Sequence, residues 1–401
     1  KKLNTWQDKA IGAWLVIISI FQLYTATVGI FQPRIQRGIH LLFLLPAAFV
    51  LFPAFKKQVH EKVGIFNWIL AIISIFPPLY IIYFHERLTE RLEFVDDVLT
   101  IELILGSLMI VLLLEAIRRA VVPAMAYLIA GFFVYLYAAP YLSGVFYAKP
   151  VIFAEIIEMQ YLITDAGMFG SITGVSATFV ALFVIFGAFM EATKTGQFFT
   201  DLACRIAGKG NGGPAKIAVI SSGLFGSISG VAAANVYSTG VFTIPLMKQL
   251  GYRRRFAGAV EAAASTGGML MPPVMGAGAF VMAEITGISY VNIVIAAMLG
   301  SLLLYASMVI RVHYTAKREK LSGVEEKDMV SYKQILKDSY LLIPMILLVI
   351  LLLKGYSPFF AATAAIGVVF LVSFIKKETR MTPVRIWGTL RLAGHNMIMI
   401  A

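Results

Sequence analysis

The chain has 401 residues, 59% of them hydrophobic and only 14% charged, with a mean hydropathy of +0.82. That composition excludes a soluble globular domain and marks a polytopic membrane protein. The net charge of +12 does not point to nucleic acid, because the basic residues flank apolar runs, where they act as an orientation signal.

With the N-terminus placed in the cytoplasm, spans are predicted near 10–30, 38–55, 64–84, 98–114, 120–140 and 172–192. A hairpin follows, then spans near 256–286, 289–310, 339–354 and 358–375. The expected fold is therefore all-α, with about ten spans plus one re-entrant hairpin. On this topology all but six of the 34 Lys and Arg lie inside, the exceptions being Arg34, Arg37, Arg87, Arg91, Lys149 and Lys354. The first span follows Lys1, Lys2 and Lys9 and lacks a small-residue cleavage site, so it reads as a retained signal anchor. The acidic loop Glu86–Asp97 falls outside, either as a solvated loop or as a contact for a soluble partner. Glu102 and Glu115 are assigned to orientation or packing of the fourth span. Phe198–Ile206 is amphipathic and is placed at the cytoplasmic interface; it carries Cys204, whose being the one cysteine excludes an intramolecular disulfide.

The hairpin is inferred from a length mismatch. No charge lies between Lys216 and Lys248, and the 31 residues between them would make a helix of about 46 Å against a hydrocarbon core of about 30 Å. Both flanks are basic, so both ends belong on the cytoplasmic side. The turn is assigned to Gly226-Ser227-Ile228-Ser229-Gly230. Irregular backbone at membrane depth persists only where protein or a polar cavity satisfies it, which makes this tip a candidate binding site.

The next span is interrupted by Ser265-Thr266-Gly267-Gly268-Met269-Leu270-Met271-Pro272-Pro273. Adjacent prolines remove two backbone donors, and the glycine pair loosens the turn before them. Secondary transporters build ion sites from such discontinuous helices. A hard cation such as Na⁺ wants several oxygens, and the expected set is Ser229 with the carbonyls of Gly268, Met271 and Pro273. Ser227, Gly230 and Asn235 are the expected substrate contacts, with Asn235 alternatively tying the hairpin legs together or serving the ion. Glu261 and Glu284 lie within an apolar span, where carboxylates are costly and default to functional candidates, proton coupling included. For Glu261 the competing reading is an ion pair with Arg253–Arg255, and for Glu284 a solvated position at the outer end.

Residues 179–320 carry the pieces FVALFVIFGAFMEATKTGQFFTDLA, GLFGSISGVAAANVYSTGVFTIPLMKQLGY and RRFAGAVEAAASTGGMLMPPVMGAGAFVMAE. These resemble the large membrane subunit of tripartite ATP-independent periplasmic (TRAP) transporters, and the last resembles the TAXI branch in particular. The resemblance implies a sodium-driven uptake permease of the bacterial inner membrane, fed by a periplasmic substrate-binding protein and importing a small organic anion, a dicarboxylate or acidic amino acid. It implies an elevator-type fold with inverted repeats, and its first sodium site falls on Ser229, Gly268, Met271 and Pro273. Two positions depart from the family pattern: Asn235, where many members carry Asp, and Met269, often Gln in the TAXI branch. Residues 1–119 are consistent with a fused small subunit of four spans, 120–150 with a connecting helix and loop, and 151–401 with the large subunit. The second repeat is incomplete: Tyr356–Ile375 resembles Gly174–Met190, while the second hairpin would lie beyond Ala401, so a longer native chain is expected.

Other motifs lack their context. Gly208–Gly213 satisfies G-x-G-x-x-G, but no strand precedes it and Pro214 follows, so it reads as a basic interfacial turn. The sequence contains no Walker A motif, no metal-ligand spacing among its five histidines and no hydrolase triad pattern, which argues against an ATP-driven pump or an enzyme. The alternatives to the favoured reading are a sodium-coupled carrier that needs no binding protein and a non-transporting scaffold.

Overall fold

The computed structural model describes residues 4–55 and 63–400. It is helical over 78% of the chain, with no strand among the described residues. Among the described residues, eight helices are long and apolar enough to cross a membrane, so the chain is a multi-pass membrane protein. By internal contacts it divides into two compact units, one of residues 1–178 with 394–401 and one of residues 179–393.

In the first unit, α1 (Thr5–Val28), α2 (Pro33–Leu51), α3 (Ile65–Ile73), α4 (Phe76–Tyr83), α5 (His85–Glu90), α6 (Thr100–Ala120) and α7 (Pro123–Ala138) are followed by the short α8 (Phe153–Ile157) and α9 (Ser171–Val175). Hydrocarbon surroundings cannot satisfy polar groups, so the polar residues of α1 and α2 pair with one another. Gln22 meets His40 Nδ1 at 3.1 Å, His40 Nε2 meets Ser176 Oγ at 3.1 Å, and Gln36 donates to the Ala177 carbonyl at 3.0 Å. The helix α6 is capped at its start by Glu102, which accepts from Leu99 N–H at 2.8 Å, and carries Arg118 and Arg119 in its last turn, where cations complement the macrodipole. Glu102 also pairs with Arg87, and Glu115 with Arg118 and Arg119, so both acids stabilise the unit.

The expected domain boundary at residue 119 lies inside this unit. Ion pairs and carbonyl contacts tie residues 158–169 to the earlier helices: Arg91 to Glu158 at 2.6 Å, Arg34 to the Leu162 carbonyl at 2.5 Å, and Arg37 to the Phe169 carbonyl at 2.9 Å.

The second unit contains α10 (Ala181–Ala192), α11 (Thr195–Ala207), α12 (Gly213–Ser229), α13 (Ala232–Gln249), α14 (Arg254–Gly267), α15 (Ala277–Thr286), α16 (Tyr290–Arg318), α17 (Tyr332–Asp338), α18 (Ile343–Leu353), α19 (Pro358–Val372) and most of α20 (Pro383–Ile398). Its centre is α12, buried along nearly its whole length and in contact with α10, α11, α13, α14 and α16. Small residues permit this crowding. The hairpin is formed by α12 and α13, but its turn falls at Gly230–Val231 rather than across Gly226–Ser229, which remain helical. Gly230, at φ +60°, supplies the left-handed residue that ends α12.

Candidate functional site

The predicted interruption of the span after the hairpin is present as residues 268–276, between α14 and α15. After a 3₁₀ turn at Gly268–Leu270, Met271 is extended, the Pro272–Pro273 peptide is cis, and Gly276 N–H closes back onto the Met269 carbonyl at 2.7 Å. Tyr290 of α16 steadies the segment by donating to the Pro273 and Val274 carbonyls at 2.9 and 2.5 Å. A carbonyl has two lone pairs, so an oxygen engaged once can still accept a second partner.

The hairpin tip lies against this break. Val274 N–H donates to the Ser227 carbonyl at 3.1 Å, and Gly230 sits directly beneath the Met275 carbonyl. Gly226 and Gly268 meet backbone to backbone: a Cβ on Gly268 would lie 2.7 Å from Gly226 Cα. The fold therefore brings the stretch containing Ser229 beside the one containing Gly268, Met271 and Pro273. Ser229 Oγ is buried and has no hydrogen-bond partner. A buried hydroxyl left unpaired costs about 1–3 kcal/mol, so its retention at a helix end needs a reason.

The expected substrate contacts are engaged internally. Ser227 Oγ donates to the Leu224 carbonyl at 2.7 Å, and Gly230 serves the turn. Asn235 is fully buried and bridges the hairpin legs, its amide donating to the Ser222 carbonyl at 2.8 Å. Met269 is 40% exposed, and beside it the break, α15 and α16 line an apolar groove of about 640 Å³.

Glu261 departs from the ion-pair alternative. It is fully buried, and among the described residues no basic side chain lies within ion-pair distance of it. Instead its Oε1 receives hydroxyls from Ser222 at 2.8 Å, Thr239 at 2.6 Å and Ser265 at 3.3 Å, and its Oε2 meets Thr243 at 2.5 Å. Hydrogen bonds to a charged acceptor contribute about 1.5–3 kcal/mol each. Four of them offset a desolvation penalty of several kcal/mol without a cation. Gly240 makes room, since a Cβ there would lie 3.0 Å from Glu261 Cγ. Sequence reasoning missed these hydroxyls, although Thr239 and Thr243, like Glu261 and Ser265, stand four residues apart and so share a helix face. Glu284 is exposed on α15.

The family described as "Tripartite ATP-independent periplasmic transporter, DctM component" matches residues 108–401. The chain is 29% identical over 211 residues to the C4-dicarboxylate TRAP transporter large permease protein DctM of Pseudomonas aeruginosa, covering 51% of this chain and 48% of that protein. It is 27% identical over 207 residues to the protein of the same description in Vibrio cholerae, covering 50% and 44%. A shorter match, 31% identical over 123 residues, is to the isethionate TRAP transporter permease protein DctMQ of Oleidesulfovibrio alaskensis, covering 31% of this chain and 19% of that protein. The chain thus spans about half the length of the two large-permease relatives it matches, and less of the third.

Proposed function

We propose, for a chain that belongs to the DctM component family of tripartite ATP-independent periplasmic transporters, that it works as a sodium-coupled permease importing small organic anions. The family is one of transporter permeases, not enzymes. The reading places the protein in the bacterial inner membrane with a cytoplasmic N-terminus. A periplasmic binding protein delivers the substrate, in a TAXI-type arrangement with a small subunit fused ahead of the large one and elevator movement of the hairpin. Relatives named for C4-dicarboxylate and isethionate support a small anion as cargo.

The observation that carries the proposal is the buried, unpartnered Ser229 hydroxyl at a hairpin tip pressed against a helix break. Sodium, as co-substrate, would be held by Ser229 Oγ and the carbonyls of Gly268, Met271 and Pro273. The helices α13 and α15 both begin beside this place, at Ala232 and Ala277, and their N-terminal N–H groups favour an anion. Ser227 and Gly230 are the proposed substrate contacts at the tip, and Asn235, whose amide is engaged between the hairpin legs, supports them from behind.

The test is uptake of labelled 2-oxoglutarate or glutamate into proteoliposomes holding the full-length protein, with an inward sodium gradient and the binding protein present or absent. Uptake that needs both is the expected result; uptake with sodium alone would favour a carrier independent of a binding protein. Ser229→Ala should raise the sodium concentration for half-maximal uptake roughly tenfold, the equivalent of one lost ligand worth about 1.4 kcal/mol. An unchanged sodium dependence would remove Ser229 from the site.

A further inference from the structure

We propose that Glu261 is a reversible proton-binding site built into the junction of α12, α13 and α14, separate from the sodium ligands at the hairpin tip. The argument begins with the hydrogens. Ser222, Thr239, Thr243 and Ser265 each have one hydroxyl hydrogen, and when Glu261 is ionised all four point at its oxygens. When a proton is added at Oε2, that O–H donates to Thr243 Oγ1 across the same 2.5 Å contact. The Thr243 hydrogen then turns to the Thr239 carbonyl, already 3.1 Å away. Ser222 and Thr239 continue to donate to Oε1. Both protonation states therefore have every hydrogen placed, and exchanging them needs only a hydroxyl rotation. An arginine partner would have fixed the ionised form, and an apolar pocket the neutral one; a ring of hydroxyls favours neither absolutely, because each can donate or accept.

A metal ion does not fit this arrangement. A hard cation keeps each ligand oxygen about 2.3–2.6 Å from itself and so spreads those oxygens apart. Here three of the four hydroxyls already touch the carboxylate at 2.5–2.8 Å and Ser265 lies at 3.3 Å, with Ser222 Oγ and Thr239 Oγ1 3.0 Å from each other. Only a proton enters such a shell without displacing it.

The ionisable side chains on the helices packed around the carboxylate are few. On α12 and α13 they are Lys216, six residues before Ser222, Tyr237, which is 76% exposed, and Lys248, five residues after Thr243. On α14, Arg253–Arg255 lie more than a turn away, with the Arg253 side chain 81% exposed. From α16, Tyr305 approaches, its hydroxyl donating to the Ala264 carbonyl at 2.7 Å. The proton site also has a route to the tip: Thr239 Oγ1 lies 3.2 Å from Asn235 Oδ1, and the Asn235 amide holds the Ser222 carbonyl.

Infrared difference spectra of the full chain in liposomes, titrated from roughly pH 9 to pH 4, test this without any substrate. The expected result is a carboxylic C=O band that grows on acidification and is lost entirely in Glu261→Gln, an isosteric change. Thr243→Val removes the acceptor for Oε2–H and should move that band to higher frequency, which decides the matter if the Gln variant fails to fold. A spectrum in which no protonated-carboxyl band depends on Glu261, or one in which the band stays constant across the range, overturns the proposal. The consequence for transport, a proton moved with the anion, rests on the transporter reading. The spectroscopic result stands or falls apart from it, since uptake driven by sodium is measured separately.

Discussion

The contact between Gly226 and Gly268 packs the hairpin against the break, and a single methyl group probes it. In Gly268→Ala the new Cβ would lie 2.7 Å from Gly226 Cα, 3.0 Å from Asn235 Nδ2 and 3.3 Å from the Ser222 carbonyl. The first of these is backbone that cannot rotate aside, so tip and break must part by about 0.7 Å or more to restore contact distances. Overpacking of this kind costs about 1–3 kcal/mol. Loss of the Asn235 to Ser222 hydrogen bond adds about 1 kcal/mol. Against this, Gly268 has ordinary helical angles, φ −58° and ψ −28°, so alanine gains about 0.5–1 kcal/mol in backbone entropy. Steric cost wins, for a net loss of about 1–3 kcal/mol concentrated where the ion is proposed to sit. The control is Gly258→Ala in the preceding helix α14, whose Cβ meets nothing within 4 Å and which should be neutral or slightly stabilising. Thermal unfolding in detergent and the sodium dependence of uptake are the assays. If the two variants behave alike in both, the hairpin does not rest on the break and the site geometry is wrong.

Tyr290→Phe removes the hydroxyl shared by the Pro273 and Val274 carbonyls, and should lower stability by about 1–3 kcal/mol and weaken sodium dependence together, read by melting temperature and uptake. Arg91→Ala would leave Glu158 buried without its partner, since both side chains are only 5% exposed, at a cost of about 3–5 kcal/mol. Adding Glu158→Gln should recover much of that loss in a thermal melt; no recovery would mean the pair is not coupled. Asp201, on α11, has its carboxyl raised to about 6 by burial and by the nearby Asp338 charge. The folded state holds this proton more tightly than the unfolded chain. Its contribution to stability is therefore present below about 4, lost as pH rises through about 6, and flat above. Melting temperatures of the wild type should accordingly fall, relative to Asp201→Asn, across that window, and parallel curves would refute the assignment.

The helices long enough to cross a membrane were legible as apolar runs bounded by charge, Pro or Gly, and the hairpin because its charge-free run fits neither one span nor two. The break was legible from Gly267-Gly268 and Pro272-Pro273, which no continuous helix accommodates. The tip was misplaced by a few residues because glycines and serines at 226–229 suit a turn by composition yet pack as helix against Gly268 and Gly187. The predicted outside arginines also find their explanation only in three dimensions. Arg34, Arg37, Arg87 and Arg91 are bound to carbonyls and carboxylates within the first unit, so their role is structural rather than topological.

Glu261 shows why a site can be hidden from sequence. Its four hydroxyl partners come from three helices and span residues 222–265, so the four-residue spacings of Thr239/Thr243 and Glu261/Ser265 mark two helix faces without showing that those faces meet. Asn235 is the residue where this cage and the hairpin tip meet, and its amide chemistry is constrained from both sides. Its nitrogen donates to the Ser222 carbonyl, which a carboxylate could not do, and its oxygen lies within reach of the same Thr239 hydroxyl that serves Glu261. An acid at 235 would set a second negative charge one hydroxyl away from the first and leave the Ser222 carbonyl without its donor. Like charges that close resist joint ionisation. In this chain the carboxylate of this junction stands at 261, with the neutral amide of Asn235 linking it to the tip.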